Sequence, residues 1–405
     1  MSVNKNNMHK HNIYLDNAAT TCVDERVLES MLPAFSLDFG NASSLHHFGT
    51  RAKELLEKSR TTIAQCIVAN PNEVFFTSSG TESNNWVLKG IAHANQHKGR
   101  HIIVSSIEHD CILNTCEWLN DEGYYITYLP VDSDGIVDLE RLKEVINPKT
   151  VLVSVMHANN EIGTIEPLEK IGQICKERNI YFHSDACQSF GKIPIDVNKA
   201  GVDLLTINAH KIYGPKGIGA LYIRKGVNLE ALLHGGGQEA GLRSSTENIP
   251  AIVGFAKAAE LSLQEMKSEE IRLSLLRKKM VDFVFSNFPN AYINGHHSQR
   301  LPGHLSLGFH GLEGETIRLL LLLDEMGIAV SAGSACSSND TSHQASHVLQ
   351  AIGLNPFEAR GAIRVSMGRF TTEEDIDIFM NSLSKTLKSL TSIFSDNSMI
   401  SCAQR

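Results

Sequence analysis

From Ile13 to Ile223, short apolar runs alternate with amphipathic stretches, the pattern of strands separated by helices. Ile13-Tyr-Leu passes into a polar turn, and Val27 to Phe35 reads as a helix ended by Pro33 and the residues just after it. A long helix is expected from Gly49 to Cys66, with Leu55, Ile63 and Ile67 spaced between charges. Glu73-Val-Phe-Phe-Thr-Ser is a strand that breaks at Ser79-Gly80-Thr81 and re-enters a helix from Glu82 to about Ala94. Further strands are predicted at His101–Ser105, Tyr125–Pro130, Val151–Met156 and Ile180–Ser184. Helices at Cys111–Asn120, Leu139–Val145 and Pro167–Arg178 separate them. This alternation implies an α/β fold, a mostly parallel sheet covered by helices, with chemistry gathered at the strand C-terminal ends.

The stretch Leu204–Ile223 breaks the alternation. Two apolar runs flank His210-Lys211 and Tyr213-Gly-Pro, a strand–turn–strand with one lysine at its seam. That lysine is either a solvated turn cation or an amine placed in a site. After about Pro250 the pattern changes again. A long helix spans Ala251 to Phe288 with a charged middle, then come short strands at Gly303–Phe309 and Ile328–Ser331. A helix from Gly314 to Met326, a strand at Ala362–Ser366 and a closing helix from about Thr371 complete a smaller α+β region. Thr372-Glu-Glu-Asp is a capping signal for that last helix.

Composition narrows the function classes. A net charge of −8 on 405 residues argues against a general nucleic-acid or membrane-surface binder. No apolar stretch reaches the roughly 18 residues that span a bilayer, and the polar start MSVNKNNMHKHN is not a secretory signal. Eight scattered cysteines without CxxC pairs read as reduced thiols, and the expected location is the cytoplasm.

Candidate chemistry sits at the strand ends. Ser78-Ser-Gly80-Thr81 joins a strand to a helix, where free amides and the helix dipole suit an anion, though an ordinary N-cap has the same look. Asp185 ends another strand and can be a cap, a metal ligand or the partner of a buried cation; no His/Asp cluster with metal spacing accompanies it. A pocketed carboxylate that keeps a pyridinium protonated, with a Schiff-base lysine, is the requirement of pyridoxal phosphate chemistry, and Lys211 follows one crossover later. Desolvation and neighbouring cations would make that lysine nucleophilic. His109 closes a third strand end, where an imidazole can stack on a flat ring or be structural.

Together these stretches resemble the pyridoxal-phosphate-dependent cysteine desulfurases of the class V aminotransferase group, fold type I. The matching motifs are YLDNAATT, FGNASSLH, FTSSGTESNN, EHD, MHANNEIG, HSDACQS, NAHKIYGPKGIGALYI, GGGQEAGLRSSTENIP, VSAGSACSS and IRVSMGRFTTEEDI, in order from Tyr14 to Ile376. The resemblance implies a seven-stranded, mostly parallel sheet in a cofactor-binding domain of residues 19–262, with a smaller domain from 1–18 and 263–405. It makes Lys211 the Schiff-base lysine, Asp185 the partner of the pyridine nitrogen, Gln188 the partner of the ring hydroxyl, and His109 the stacked acid/base. Thr81, Asn208 and His210 would hold the phosphate, with Gly80 allowing close approach. Thr246 would reach the neighbouring subunit's phosphate, implying a homodimer. Asn160 would contact the cofactor or substrate, and Arg364 would grip the substrate carboxylate.

Cys336 lies in a Gly/Ser/Asn-rich stretch nearly free of apolar residues until Val348, as an exposed thiol would. The resemblance makes it the catalytic cysteine, in a loop like that of the nitrogen-fixation and iron–sulfur branch. L-cysteine would become L-alanine, and the persulfide on Cys336 would pass to an acceptor such as an iron–sulfur scaffold or a thiolation enzyme. The rival readings are a selenocysteine lyase on the same scaffold and a cofactor-less sulfur-relay scaffold. Asn208, Ala240 and Ser245 depart from the usual residues of the family motifs, and Cys111 and Cys187 are unusual so near the site.

Overall fold

A computed structural model describes residues 12–333 and 345–402. Chain order begins with β1 (Ile13–Tyr14), α1 (Glu25–Met31), α2 (Pro33–Ser36), α3 (His47–Cys66), β2 (Val74–Thr77) and α4 (Gly80–Asn95). It continues with β3 (His101–Ser105), α5 (Asp110–Asp121), β4 (Tyr125–Leu129), α6 (Leu139–Val145), β5 (Thr150–Ser154), α7 (Leu168–Glu177) and β6 (Tyr181–Asp185). The hairpin strands are β7 (Leu204–Asn208) and β8 (Gly219–Ile223), followed by α8 (Ile249–Asn287). Then come β9 (Ala291–Ile293), β10 (His304–Phe309), α9 (Thr316–Glu325), β11 (Ile328–Ala329) and β12 (Ser331–Ala332). The chain closes with α10 (His347–Ala351), β13 (Ala362–Ser366) and α11 (Glu373–Cys402).

Seven strands form one sheet in the order β2-β8-β7-β6-β5-β3-β4. All neighbours are parallel except those of β8, which runs antiparallel to both β2 and β7. The mostly parallel α/β sheet expected from the sequence is therefore present. Strands β3, β5, β7 and β8 are buried at every position, as helices on both faces require. One apolar core, including Ile103, Val153 and Ile207, lies under α3 and the first part of α8. Another, around Trp86, Ile102 and Leu221, lies under α4 and α5.

A second sheet, β12-β13-β10-β9, is antiparallel and packs on α9, α11 and the far part of α8. The 39-residue α8 joins the cores, with Ile252 and Phe255 in the first and Met280 and Val284 in the other. Its cap is Asn248, which accepts from Ala251 N. The Thr372 signal forms a reciprocal box: Thr372 N donates to the Asp375 carboxylate, and Asp375 N donates to Thr372 Oγ1.

Several element ends shift by about two residues, and three departures from expectation have a specific cause. The Val27–Phe35 helix is two helices, because Pro33 interrupts the first and serves as the opening residue of the next. The Gly314–Met326 helix begins at Thr316, after a 3₁₀ turn whose Glu313 carboxylate folds back onto Gly311 N. Ile328–Ser331 is two short strands in two sheets: β11 pairs with β1, and β12 with β13. Among the described residues no helix is long and apolar enough to cross a membrane.

Candidate active site

The C-terminal ends of β3, β5, β6 and β7 meet at one edge of the large sheet. After β7 the chain turns through Ala209-His210-Lys211, and Ile212 N and Gly214 N both return to Ala209 O. The N-terminal segment straps this turn. Thr21 N and Oγ1 donate to His210 O, while Tyr213 N donates to Thr21 Oγ1. Lys211 emerges half-buried, with no hydrogen bond or ion pair among the described residues.

Asp185 ends β6, paired beside Thr206 of β7. Its Oδ1 accepts from Cys187 N at 2.8 Å and its Oδ2 from Asn84 Nδ2 at 2.7 Å. Both donors are neutral, so this buried carboxylate has hydrogen bonds but no cation paired to it among the described residues. Asn84 comes from α4, one turn beyond Gly80. A β-carbon at Gly80 would meet Cys187 Sγ at 2.6 Å, so glycine lets the start of α4 settle onto the ends of β6 and β7. Ser79 caps α4 by accepting from Glu82 N, and Thr81 is exposed at the helix's first turn. Asn208, at the end of β7, is buried, and its Oδ1 has no protein partner.

His109 caps α5, and its Nδ1 accepts from Cys111 N at 3.1 Å. The neutral ring therefore carries its proton on Nε2. Burial holds its pKa below the ordinary value; the Asp185 charge opposes this, and the Lys211 charge reinforces it. His210 Nδ1 lies 3.1 Å from Thr20 Oγ1. Its pKa is pushed down to about 4 by burial and by Lys211, Lys216 and Lys192. Gln188 is buried and donates from Nε2 to Ala18 O at 3.0 Å.

The second sheet closes the site. Arg364 of β13 is 1% exposed; Nη2 bonds Asp16 Oδ1 at 2.8 Å and Nη1 bonds Asn160 O at 3.0 Å. Its Nε is buried without a partner. The loop holding Asn160 is pinned by Asn159, whose Nδ2 donates to Ile107 O and whose Oδ1 accepts from Glu161 N and Ile162 N.

The structure thus joins Gly80, His109, Asp185, Asn208, His210 and Lys211 around adjoining strand ends, and links Arg364 to Asn160. Thr246 is exposed on the segment between β8 and α8, outside these contacts. There the unusual Ala240 and Ser245 both sit at positive φ, 57° and 151°, where glycine is easier to accommodate. Cys336 lies outside the described residues. Cys111 and Cys187 do adjoin the site, and burial raises the pKa of both thiols, the behaviour of inert packing groups.

Sequence reasoning missed three contributors. Asn84 could have been found from its helical spacing after Gly80. Glu108 ties the end of β3 to the segment after β5 through Ser105 Oγ and Met156 N, both 2.7 Å from its Oε1; burial pushes its pKa up to about 8. Lys192 reaches the Gln188 amide, and no local pattern announced it.

A partnerless amine, a buried carboxylate without a paired cation and an orphaned amide beside a helix N-terminus together fit pyridoxal phosphate. The class-V aminotransferase family model matches residues 13–379. A protein of Clostridium botulinum (strain Hall), "Cysteine desulfurase IscS", is 50% identical over 378 residues, 93% of this chain and 94% of that one. A solved "NifS-like protein" superposes with a TM-score of 0.87 at 41% identity, covering 93% of this chain and all of its own. Another solved structure, "SspA in complex with cysteine", gives 0.76 at 38% identity, covering 89% of this chain and all of its own.

Proposed function

This chain belongs to the class-V aminotransferase family, in its cysteine desulfurase branch, and we propose that it converts L-cysteine to L-alanine and passes on the sulfur. The observation that carries the reading is that, among the described residues, Lys211 has no bonded partner while nearby Asp185 has its two oxygens held only by neutral donors. The cofactor is pyridoxal 5′-phosphate, which supplies an electron sink conjugated to the substrate's α-carbon.

Lys211 would supply the amine that holds the cofactor and the base that moves a proton at the α-carbon. Asp185, fixed by Asn84 and Cys187 N, keeps the ring nitrogen protonated. Gln188 would donate to the ring oxygen, and His109, whose pKa burial holds below the ordinary value, would stack on the ring and serve as acid/base. Thr81, Asn208 and His210 would hold the phosphate at the start of α4, where Gly80 would permit close approach. Asn160 orients cofactor and substrate, and Arg364 binds the substrate carboxylate. The Cys336 thiolate attacks the substrate sulfur: an S–S bond forms as the substrate's Cβ–S bond breaks. The electron pair left on carbon is protonated to give alanine, and the persulfide goes to an acceptor protein such as an iron–sulfur scaffold.

The same reading makes residues 19–262 the cofactor-binding domain and 1–18 with 263–405 the smaller one. It makes the active species a cytoplasmic homodimer in which Thr246 reaches the partner's phosphate. The test is alanine release from L-cysteine by the purified protein loaded with pyridoxal phosphate. Lys211→Ala is expected to abolish release and Cys336→Ala to abolish persulfide formation. Normal alanine release by Lys211→Ala would sink the reading.

A further inference from the structure

Lys192 is a charged group that the proposed mechanism does not use. It lies one turn after Gln188, and its Nζ is 3.4 Å from Gln188 Oε1. The preceding Gly191 has φ +71°, and a β-carbon there would meet Ile212 Cγ2 and Ser262 Cβ at 2.9 Å. This close-packed turn delivers the amine inward. Lys192 and Lys211 line the same cavity, of about 70 Å³.

The charges around Lys192 give it no structural reward. It has no carboxylate partner among the described residues, and burial, helped by the charges of Lys211 and Arg364, pulls its pKa down to about 7. Cys187, His210 and His304 are its other titratable neighbours. From α8, Glu265 and Glu269 line the cavity but are committed, Glu265 to Arg26 and Arg369 and Glu269 to Arg272; Glu270 also lines it. An amine held among cations costs stability unless it serves a purpose.

Gln188 supplies that purpose. A peptide carbonyl only accepts, so Ala18 O requires Gln188 Nε2; this turns Oε1 towards Lys192, whose Nζ donates to it. Ala18 O selects the amide orientation, Lys192 anchors its Oε1 end, and the second Nε2 hydrogen is left for a third partner. We propose that Lys192 is a positioning residue: it acts through Gln188, fixing the amide so that an N–H faces the ring oxygen of bound pyridoxal phosphate. This rests on the proposed function, since it takes the cofactor as given.

The test is a double-mutant cycle read as the pyridoxal phosphate dissociation constant by equilibrium dialysis, with thermal midpoints of the cofactor-free proteins as a check on folding. Lys192→Met is expected to weaken binding roughly tenfold in the native background and less than about twofold when Gln188 is already Ala. Equal losses in both backgrounds, or no loss in the native one, would overturn the proposal. If Lys192→Met does not fold, Lys192→Gln takes its place in the same cycle. A wild-type protein that binds no pyridoxal phosphate defeats the proposed function itself. One that binds it normally while the cycle is additive defeats only the role of Lys192.

Discussion

Arg60 and Arg364 are both buried beside a carboxylate, but only one of them is saturated. Arg60 gives Nη1 to Val74 O and Glu239 Oε2, Nη2 to Glu239 Oε1, all at 2.7 Å, and Nε to Glu57. Its guanidinium also lies over the Phe76 ring, and Glu239 accepts Phe76 N. Arg364 meets one oxygen of Asp16 and one backbone carbonyl, and its Nε is left over. The histidines repeat the contrast. His183 has Ser154 and Thr206 on its two nitrogens, whereas His157 Nδ1 has no partner. The saturated Arg60 pair ties elements together; Arg364 keeps a buried donor free at the edge of the site, where a ligand could take it.

The sharpest challenge to this contrast is Glu239→Ala. Removing one member of the saturated pair strands the Arg60 charge, and a loss of roughly 4 kcal/mol is expected in equilibrium denaturation. The KM of folded protein for cysteine should be unchanged. Acidification comes next. His183 is neutral in the folded protein, its pKa pushed down to about 4 by burial, whereas the unfolded chain binds its proton near 6.5. Its contribution is therefore full above about pH 6.5 and lost as pH falls towards 4. Burial pushes Glu108, Glu161 and Glu166 upward, and these tilt stability the opposite way. The histidine effect is thus read as a difference: between pH 7 and pH 4 the wild type should lose on the order of 3 kcal/mol relative to His183→Gln.

On the unsaturated side, Arg364→Lys keeps the charge and loses the fork. A roughly 100-fold fall in kcat/KM for cysteine is expected, mostly in KM, with little change in thermal midpoint. If stability fell as it does for Glu239→Ala, Arg364 would be a strut like Arg60 and the contrast would fail. Asp16→Asn is the mildest variant. It weakens one contact to Arg364 and should raise KM about fivefold; an unchanged KM would detach Asp16 from substrate binding.

The sequence exposed what local pattern encodes. The β7–β8 hairpin with its central lysine, the strand-to-helix turn at Gly80 and the Thr372 cap were all legible from residue type and spacing. The antiparallel run of β8 came with the hairpin. What escaped was set by neighbours distant in sequence. Asn84 matters because it meets Asp185, 101 residues away, and Arg364 is engaged by Asp16, 348 residues away. The division of Ile328–Ser331 between two sheets depends on β1 and β13, which no local window contains. The orientation of the Gln188 amide depends on Ala18, 170 residues before it.

The pairing of β1 with β11, and of Asp16 with Ser366, also sets an order of events as the chain leaves the ribosome. All seven strands of the large sheet are synthesised by Ile223, so that body has its strands long before the end of translation. The first strand, made earliest, must wait for more than 300 residues before its partner exists. During that interval Ile13 and Leu15, buried in the finished protein, lack the β11 partner that they meet there. Arg364 is made later still, so its contacts with Asp16 and Asn160 can form only after most of the chain has been synthesised.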